Sequence, residues 1–362
     1  MKSILQIMDY AAPYRGNFIS AIETIENNYK NGNIIYLFPE GASKFSWCKE
    51  MIKIGKRIYF IHPSFYSRKV KYFNINALLT IIRKEEIKVV HTHFMEYNYT
   101  LFLLKMIFFR NLYFIANFHN HYLPGGKLKY FKNWIVKMTL DFYIGDSKSV
   151  SQSLYQQGVK KSKVVTINNS INFNRLKEYN NLSITSATSN QSALMFGYPW
   201  FRKGVDVVAK ALFQINQHRT TKITLAIAQA GGVEETKKAI YNLFDCMPEW
   251  VNFIPPREDL ASYYNAASIF ISAGREEGLS YSPLEAAYCD CLLICSNING
   301  NPLDIPNMPI YDVEDPVTLS GHIQLLLSME QAKKEKVLEA QRNYVVKNYN
   351  INSWVEQIIK CY

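Results

Sequence analysis

Short apolar runs alternate along this chain with longer stretches in which apolar positions recur at helical spacing. Runs that stay apolar on both sides of the pleat belong to parallel sheets covered by helices on both faces. The pattern predicts strands at Ile4 to Met8, Ile34 to Phe38, Lys88 to Phe94, Leu112 to Phe118, Phe142 to Asp146 and Val164 to Asn168. A polar stretch without periodicity, Asn180 to Ser192, interrupts it. The pattern then restarts with strands near Ala193 to Gly197, Lys222 to Gln229, Val251 to Ile254, Ser268 to Ala273 and Leu292 to Ser296. This predicts an α/β protein of two doubly wound domains, residues 1–180 and 193–350, with 181–192 as the linker and an amphipathic helix in 351–362. Open parallel sheets bind ligands at the carboxyl ends of their strands, so the expected site lies there, in a cleft between the domains.

A length of 362 residues suits two domains, and 48% hydrophobic with 20% charged residues describes a globular chain. The net charge of +11 is uneven: residues 1–180 carry 26 Lys and Arg against 11 Asp and Glu, and the remainder carries 15 against 19. A basic first half is either a solvated face or a surface for anionic lipid or a phosphate-bearing acceptor. Nucleic acid is not among the expected partners. The first residues turn polar too early for a secretory leader. Thr100 to Phe118 is broken by Lys105, Arg110 and Asn111 before it reaches the ~20 residues of a membrane span. A cytoplasmic protein, or one peripheral to the inner face of the cell membrane, is expected. Cys289 and Cys291, placed in the helix after Glu285, read as buried inert thiols.

The densest chemistry lies in SAGREEGLSYSPLEAAYCDCLLICS, where Glu277 and Glu285 are eight positions apart. Glu277 follows the strand at 268–273. Ser282 suits an N-cap, Pro283 the first turn, and Glu285 the same helix. The amides of Ser280, Tyr281 and Ser282 would converge at the helix N-terminus, a favourable place for phosphate. Two carboxylates flanking such a point fit a nucleotide sugar. A capping box from Ser282 to Glu285 is the competing account, and it leaves Glu277 unexplained.

The segment from Tyr263 to Gly300 resembles the signature region of the group 1 retaining glycosyltransferases, whose E-x7-E motif falls here on Glu277 and Glu285. Further matches follow in family order along nearly the whole chain. The resemblance implies the GT-B fold, two Rossmann-like domains facing across a cleft. It also implies transfer of a sugar from a nucleoside diphosphate, more often UDP, to a hydroxyl of a glycan or lipid-linked acceptor. Neither a metal nor another cofactor is expected, and no D-x-D pair is present. The richness in Asn, Lys, Ile and Tyr suggests an AT-rich genome, and bacterial members of this kind commonly build capsule or exopolysaccharide.

Residue by residue, the resemblance assigns donor-sugar hydroxyls to Glu277 and ribose hydroxyls to Glu285. In FGYPWFRKG, Lys203 falls on the lysine that grips the diphosphate. Tyr198 departs from the family, which usually has arginine there, and Arg202 is the expected compensator. Ile254 and Pro256 match the stretch that meets the base. The loop after the first strand holds one glycine, Gly16, rather than G-x-G-x-x-G, which disfavours a dinucleotide enzyme. Gly16 matches the family's donor-side loop, with Arg15 beside it as added charge. His91 and His93, on one face of a strand by their i, i+2 spacing, read as structural. His119, directly after the buried run YFIANF, matches the family's catalytic histidine. A catalytically silent partner subunit and a sugar-nucleotide epimerase on the same architecture are the competing functions. Finally, Leu128, Phe131, Trp134, Ile135 and Met138 form one helical stripe among lysines, which is either core or a lipid-docking face.

Overall fold

A computed structural model of the chain describes residues 2–61, 75–94, 99–108, 111–180, 191–229, 231–255 and 259–362. It divides into two compact units, Met1–Asn169 with Asn352–Tyr362, and Ser170–Ile351. Each is a parallel sheet between helices.

In the first unit the strands are β1 (Ser3–Met8), β2 (Ile34–Pro39), β3 (Ile58–Ile61), β4 (Ile87–His93), β5 (Tyr113–Phe118), β6 (Phe142–Gly145) and β7 (Val164–Thr166). Their order is β3-β2-β1-β4-β5-β6-β7. In the second they are β8 (Ser192–Phe196), β9 (Thr224–Ala228), β10 (Val251–Ile254), β11 (Ile269–Ser272), β12 (Leu292–Ser296) and β13 (Ile310–Tyr311), ordered β10-β9-β8-β11-β12-β13. Every pairing is parallel. Both sheets are doubly wound, with the order reversing between β1 and β4 and between β8 and β11, the places where such sheets open to a ligand.

The central strands carry no polar alternation because both faces are covered. Every residue of β1, β2 and β12 is buried. Two strands escape the sequence pattern. Both β3 and β13 lie at a sheet edge, and the latter has only two residues; short edge strands lack the long apolar run that marks a central one.

The helix Phe173–Asn180, assigned by sequence pattern to the first half, packs in the second unit. Phe173 and Leu176 join the cluster around Leu194, Phe270 and Leu284. The expected linker, 181–192, lies outside the described residues except for Gln191 and Ser192, and Ser192 opens β8. At the other end of the second unit, the helix Ile351–Ile359 leads out of it, and Asn352–Tyr362 belongs to the first. The helix after Glu277 stops at Tyr288, so Cys289 and Cys291 follow it rather than lying within it. Both thiols are buried, and burial pushes Cys289 up to about 12.

Candidate functional site

In the second unit, the loop between β8 and the helix Val205–Asn216 depends on glycine. Gly204 has φ +67°, and a Cβ there would stand 2.0 Å from the Ala273 carbonyl oxygen, so the backbone closes on the exit of β11 only without a side chain. This approach delivers Lys203 to Glu277: Nζ lies 2.6 Å from Oε1. Two residues 74 positions apart, both expected at the donor site, thus meet at the carboxyl end of the sheet.

Arg275 holds the same loop. Its backbone N–H donates to the Arg202 carbonyl at 2.8 Å. Its guanidinium forks onto Asp206 at 2.9 and 2.8 Å, reaches Glu314 at 2.8 Å, and lies 4.0 Å over the Phe201 ring. A planar fork suits this bidentate task, which lysine would not fill. Glu277 is wedged from the other side. A Cβ on Gly300 would come within 2.1 Å of the Glu277 carbonyl oxygen, and the Gly300 carbonyl accepts from the Ser280 N–H at 2.9 Å.

Glu285 is 3% exposed, and both its oxygens are engaged. Arg175, from the helix Phe173–Asn180, pairs with Oε1, and the Tyr264 hydroxyl donates to Oε2 at 2.9 Å. The capping box is therefore absent. The helix runs Tyr281–Tyr288 with Ser280 as N-cap, so Ser282 and Pro283 lie inside its first turn and the Glu285 carboxylate turns into the core. Of the three amides expected to face phosphate, that of Ser280 is committed to Gly300; Tyr281 and Ser282 are half-buried at the helix start. The Arg202 side chain is half-buried, with no ion pair among the described residues. Ile254 ends β10, its carbonyl accepting from the Gln229 N–H at 3.4 Å. Pro256 lies outside the described residues.

In the first unit, Gly16 opens the helix Gly16–Asn28 at φ +60°, below the Tyr10 hydroxyl that donates to the Tyr14 carbonyl at 2.8 Å. Arg15 adds no free charge, because it pairs with Glu23 at 3.4 Å and Glu50 at 3.1 Å. His119 follows β5 and is enclosed by aromatic rings, Phe94 stacked at 4.2 Å and Phe18 edge-on at 5.5 Å. Its Nδ1 is 2.5 Å from Oδ2 of the fully buried Asp146, and its Nε2 is 3.3 Å from His93 Nδ1. This Asp146 oxygen has no aligned hydrogen-bond donor and meets the imidazole at close range. From His93 the contacts continue through Gln6 (2.9 Å), Tyr362 (2.7 Å), His91 (2.8 Å) and Asn117 (3.1 Å) back to Asp146 (2.9 Å). These side chains close a ring. His91 and His93 are thus core histidines, each with both nitrogens engaged. Burial drives His91 down to about 3, and burial followed by its neighbours His91 and His119 lowers His93 too.

Sequence reasoning missed Arg175, Arg275, Gly300, Asp146, Gln6 and Tyr362. Only Gly300 carried a local signal, the Asn-Gly turn at 299–300.

Residues 191–329 match the family model described as glycosyl transferases group 1, and residues 34–175 match that of glycosyltransferase family 4. Together they span most of the chain, which belongs to the group 1 glycosyltransferases. A curated relative, an uncharacterized glycosyltransferase of Haemophilus influenzae, is 25% identical over 233 residues, and the match spans 63% of this chain and 63% of that protein's length. Among solved structures, a Rickettsia africae glycosyltransferase superposes with a TM-score of 0.79 at 18% identity, covering 100% of this chain and 97% of that one. Anabaena Alr3699/HepE, solved in complex with UDP and glucose, gives 0.76 at 13% identity, with 100% and 99% covered. The fold is the two-domain GT-B architecture of these proteins.

Two outcomes follow for stability. Removing one partner of a buried ion pair strands the other charge, so Arg175→Met should cost about 3 kcal/mol, and adding Glu285→Gln should recover most of it; urea unfolding of the single and double variants checks this. His91 is neutral in the folded chain down to about pH 3 but titrates near 6.5 when unfolded. Its contribution is complete above pH 6.5 and is lost as pH falls toward 3, at up to about 1.4 kcal/mol per pH unit. Melting temperatures between pH 6.5 and 5 should fall less steeply for His91→Gln than for the wild type.

Proposed function

We propose that this protein is a retaining, metal-independent glycosyltransferase of hexosyltransferase type. It moves a sugar from a nucleotide-sugar donor, UDP-linked, to a hydroxyl of a glycan or lipid-linked oligosaccharide in bacterial surface polysaccharide synthesis. The observation that carries this is the meeting of Lys203 and Glu277 at 2.6 Å. A cation and a carboxylate held at one point by Gly204, Gly300 and Arg275 match a ligand whose phosphate adjoins sugar hydroxyls. Phosphate would be taken by Nζ and hydroxyls by the carboxylate. The structures solved with UDP or UDP-glucose on this fold support the choice of donor.

In the proposed reaction the diphosphate departs from the face that the acceptor hydroxyl approaches, through an oxocarbenium-like state, and helps to take up the acceptor proton. The chain supplies positioning and charge. Lys203 and Arg202 stabilise the leaving diphosphate with the amides of Tyr281 and Ser282. Glu277 orients the sugar, and Gly16 and His119 are proposed contacts of the donor. Glu285 is proposed for the ribose, and a ribose hydroxyl would share its carboxylate with Arg175 and Tyr264.

One observation favours a second reading, a catalytically silent partner subunit. Tyr198, standing where the family usually has arginine, is 56% exposed, and a Cβ on Gly232 would come within 2.8 Å of its ring. The ring thus covers the glycine turn before the helix Val233–Phe244 without contributing charge.

A peripheral membrane location rests on the helix Lys129–Thr139. Ile135 is buried, whereas Leu128, Phe131, Trp134 and Met138 of its stripe are exposed, as are Tyr130, Leu123 and Ile107. The stripe is therefore largely a surface, framed by Lys127, Lys129, Lys132 and Lys137. No helix among the described residues is long and apolar enough to cross a membrane. An apolar face ringed by lysines suits anionic lipid, where each lysine contributes about 1 kcal/mol.

Glu277→Ala should abolish release of UDP from UDP-sugars in the presence of acceptor while leaving UDP affinity close to wild type. Arg202→Ala should weaken UDP binding by at least ~1.5 kcal/mol in calorimetry. Unimpaired turnover in the first variant removes Glu277 from the site, and absence of turnover with every donor in the wild type favours the silent subunit. In vesicle co-sedimentation the wild type should bind anionic but not neutral liposomes, with binding lost as salt rises; Phe131→Ser with Trp134→Ser should abolish it. Equal partitioning to both vesicle types counts against lipid docking.

A further inference from the structure

The buried carboxylate of Asp146 sets the direction of every hydrogen bond in the ring around His119. Asn117 turns Nδ2 toward it at 2.9 Å, which leaves Oδ1 to accept from His91 Nε2 at 3.1 Å. His91 is kept neutral by burial, so a proton on Nε2 makes Nδ1 an acceptor. The hydroxyl 2.8 Å from that Nδ1 belongs to Tyr362, whose phenol burial raises well above its ordinary value, so it donates there. Its oxygen then accepts from Gln6 Nε2 at 2.7 Å, which points Gln6 Oε1 at His93 Nε2, 2.9 Å away. His93 therefore carries its proton on Nε2 and presents a lone pair at Nδ1.

His119 Nε2 stands 3.3 Å from that lone pair. Two facing lone pairs would repel, so His119 Nε2 bears a proton. The other nitrogen, Nδ1, is 2.5 Å from Asp146 Oδ2, too close for two unprotonated atoms to face each other, so one of the two carries a proton. Whether that proton rests on nitrogen or oxygen, neither nitrogen keeps a lone pair for a substrate. The groups facing His119 are Asp146 at the end of β6, His93 at the end of β4, and the rings of Phe18 and Phe94.

We propose that Tyr362 is a positioning residue for His119: acting through Gln6 and His93, its hydroxyl holds Nε2 of His119 as a hydrogen-bond donor, so that His119 serves as a fixed polar group and not as a proton acceptor. The relevance to sugar transfer rests on the reading of His119 as a site residue. The proton positions do not.

Removing the hydroxyl reverses the relay. Without its acceptor, the Gln6 amide can turn Nε2–H toward His93, whose proton then moves to Nδ1 and points at His119 Nε2; that nitrogen releases its own proton to solvent and presents a lone pair, while the proton shared with Asp146 stays. Nitrogen-15 spectra of histidine-labelled protein read these states directly. In the wild type His119 Nε2 and His93 Nε2 should both show the protonated signature. In Tyr362→Phe the His93 proton should appear on Nδ1 and His119 Nε2 should lose its own. An unprotonated His119 Nε2 in the wild type overturns the proposal, as do unchanged tautomers in Tyr362→Phe. Should that variant fail to fold, the wild-type spectrum still decides: His91 should carry its proton on Nε2, and a protonated His91 Nδ1 would leave the Tyr362 hydroxyl nothing to donate to and overturn the proposal. Wild-type protein that transfers no sugar yet shows the stated tautomers supports the relay while removing the proposed activity.

Discussion

Covering both faces of a parallel sheet excludes water from the strands, and from that exclusion the rest of this structure follows. A polar side chain inside such a sheet must find a partner there, because burying one unpaired costs several kcal/mol by transfer measurements. In the first unit the solution is the closed ring through Gln6, His91, Asn117 and Asp146, all fully or almost fully buried. In the second it is Glu285, held between Arg175 and Tyr264. Elsewhere polar groups gather where the strands end, and there Lys203 meets Glu277. The same requirement that makes the core apolar thus concentrates the chemistry at one edge of each sheet.

The fold was legible in the sequence to the extent that it is written locally. Central strands announce themselves as unbroken apolar runs, and the restart of the pattern near Ala193 separates the two sheets. Edge strands β3 and β13 are short and carry no such run. The helix Phe173–Asn180 looked like part of the first half because nothing nearby in sequence says which core Phe173 and Leu176 will enter.

Apart from the Lys203–Glu277 pair, both members of which were expected, the candidate site was legible only on one side of each contact. Lys203, Glu277, Glu285 and His119 sit in recognisable local settings. The surroundings of Glu285 and His119 do not: Arg175 reaches Glu285 across 110 positions, and in the ring behind His119 Tyr362 reaches Gln6 across 356. A capping box could be drawn from Ser282 to Glu285 because serine, proline and glutamate have strong local preferences, yet a desolvated carboxylate gains more from a guanidinium than from a backbone amide. Long-range electrostatics overrode local propensity at that point.

Gly300 ties two loops together, by its close approach to Glu277 and by the hydrogen bond its carbonyl accepts from the Ser280 N–H. With no room for a Cβ beside the Glu277 carbonyl, the turn after β12 and the turn after β11 have one shared shape, and neither can drift without the other. Residues 297–301 therefore govern the aim of a carboxylate from a loop that itself carries no acid or base. Variation between related chains in this turn would be expected to re-aim Glu277 as a rigid unit, altering which hydroxyl of a sugar it meets while leaving its chemical character untouched.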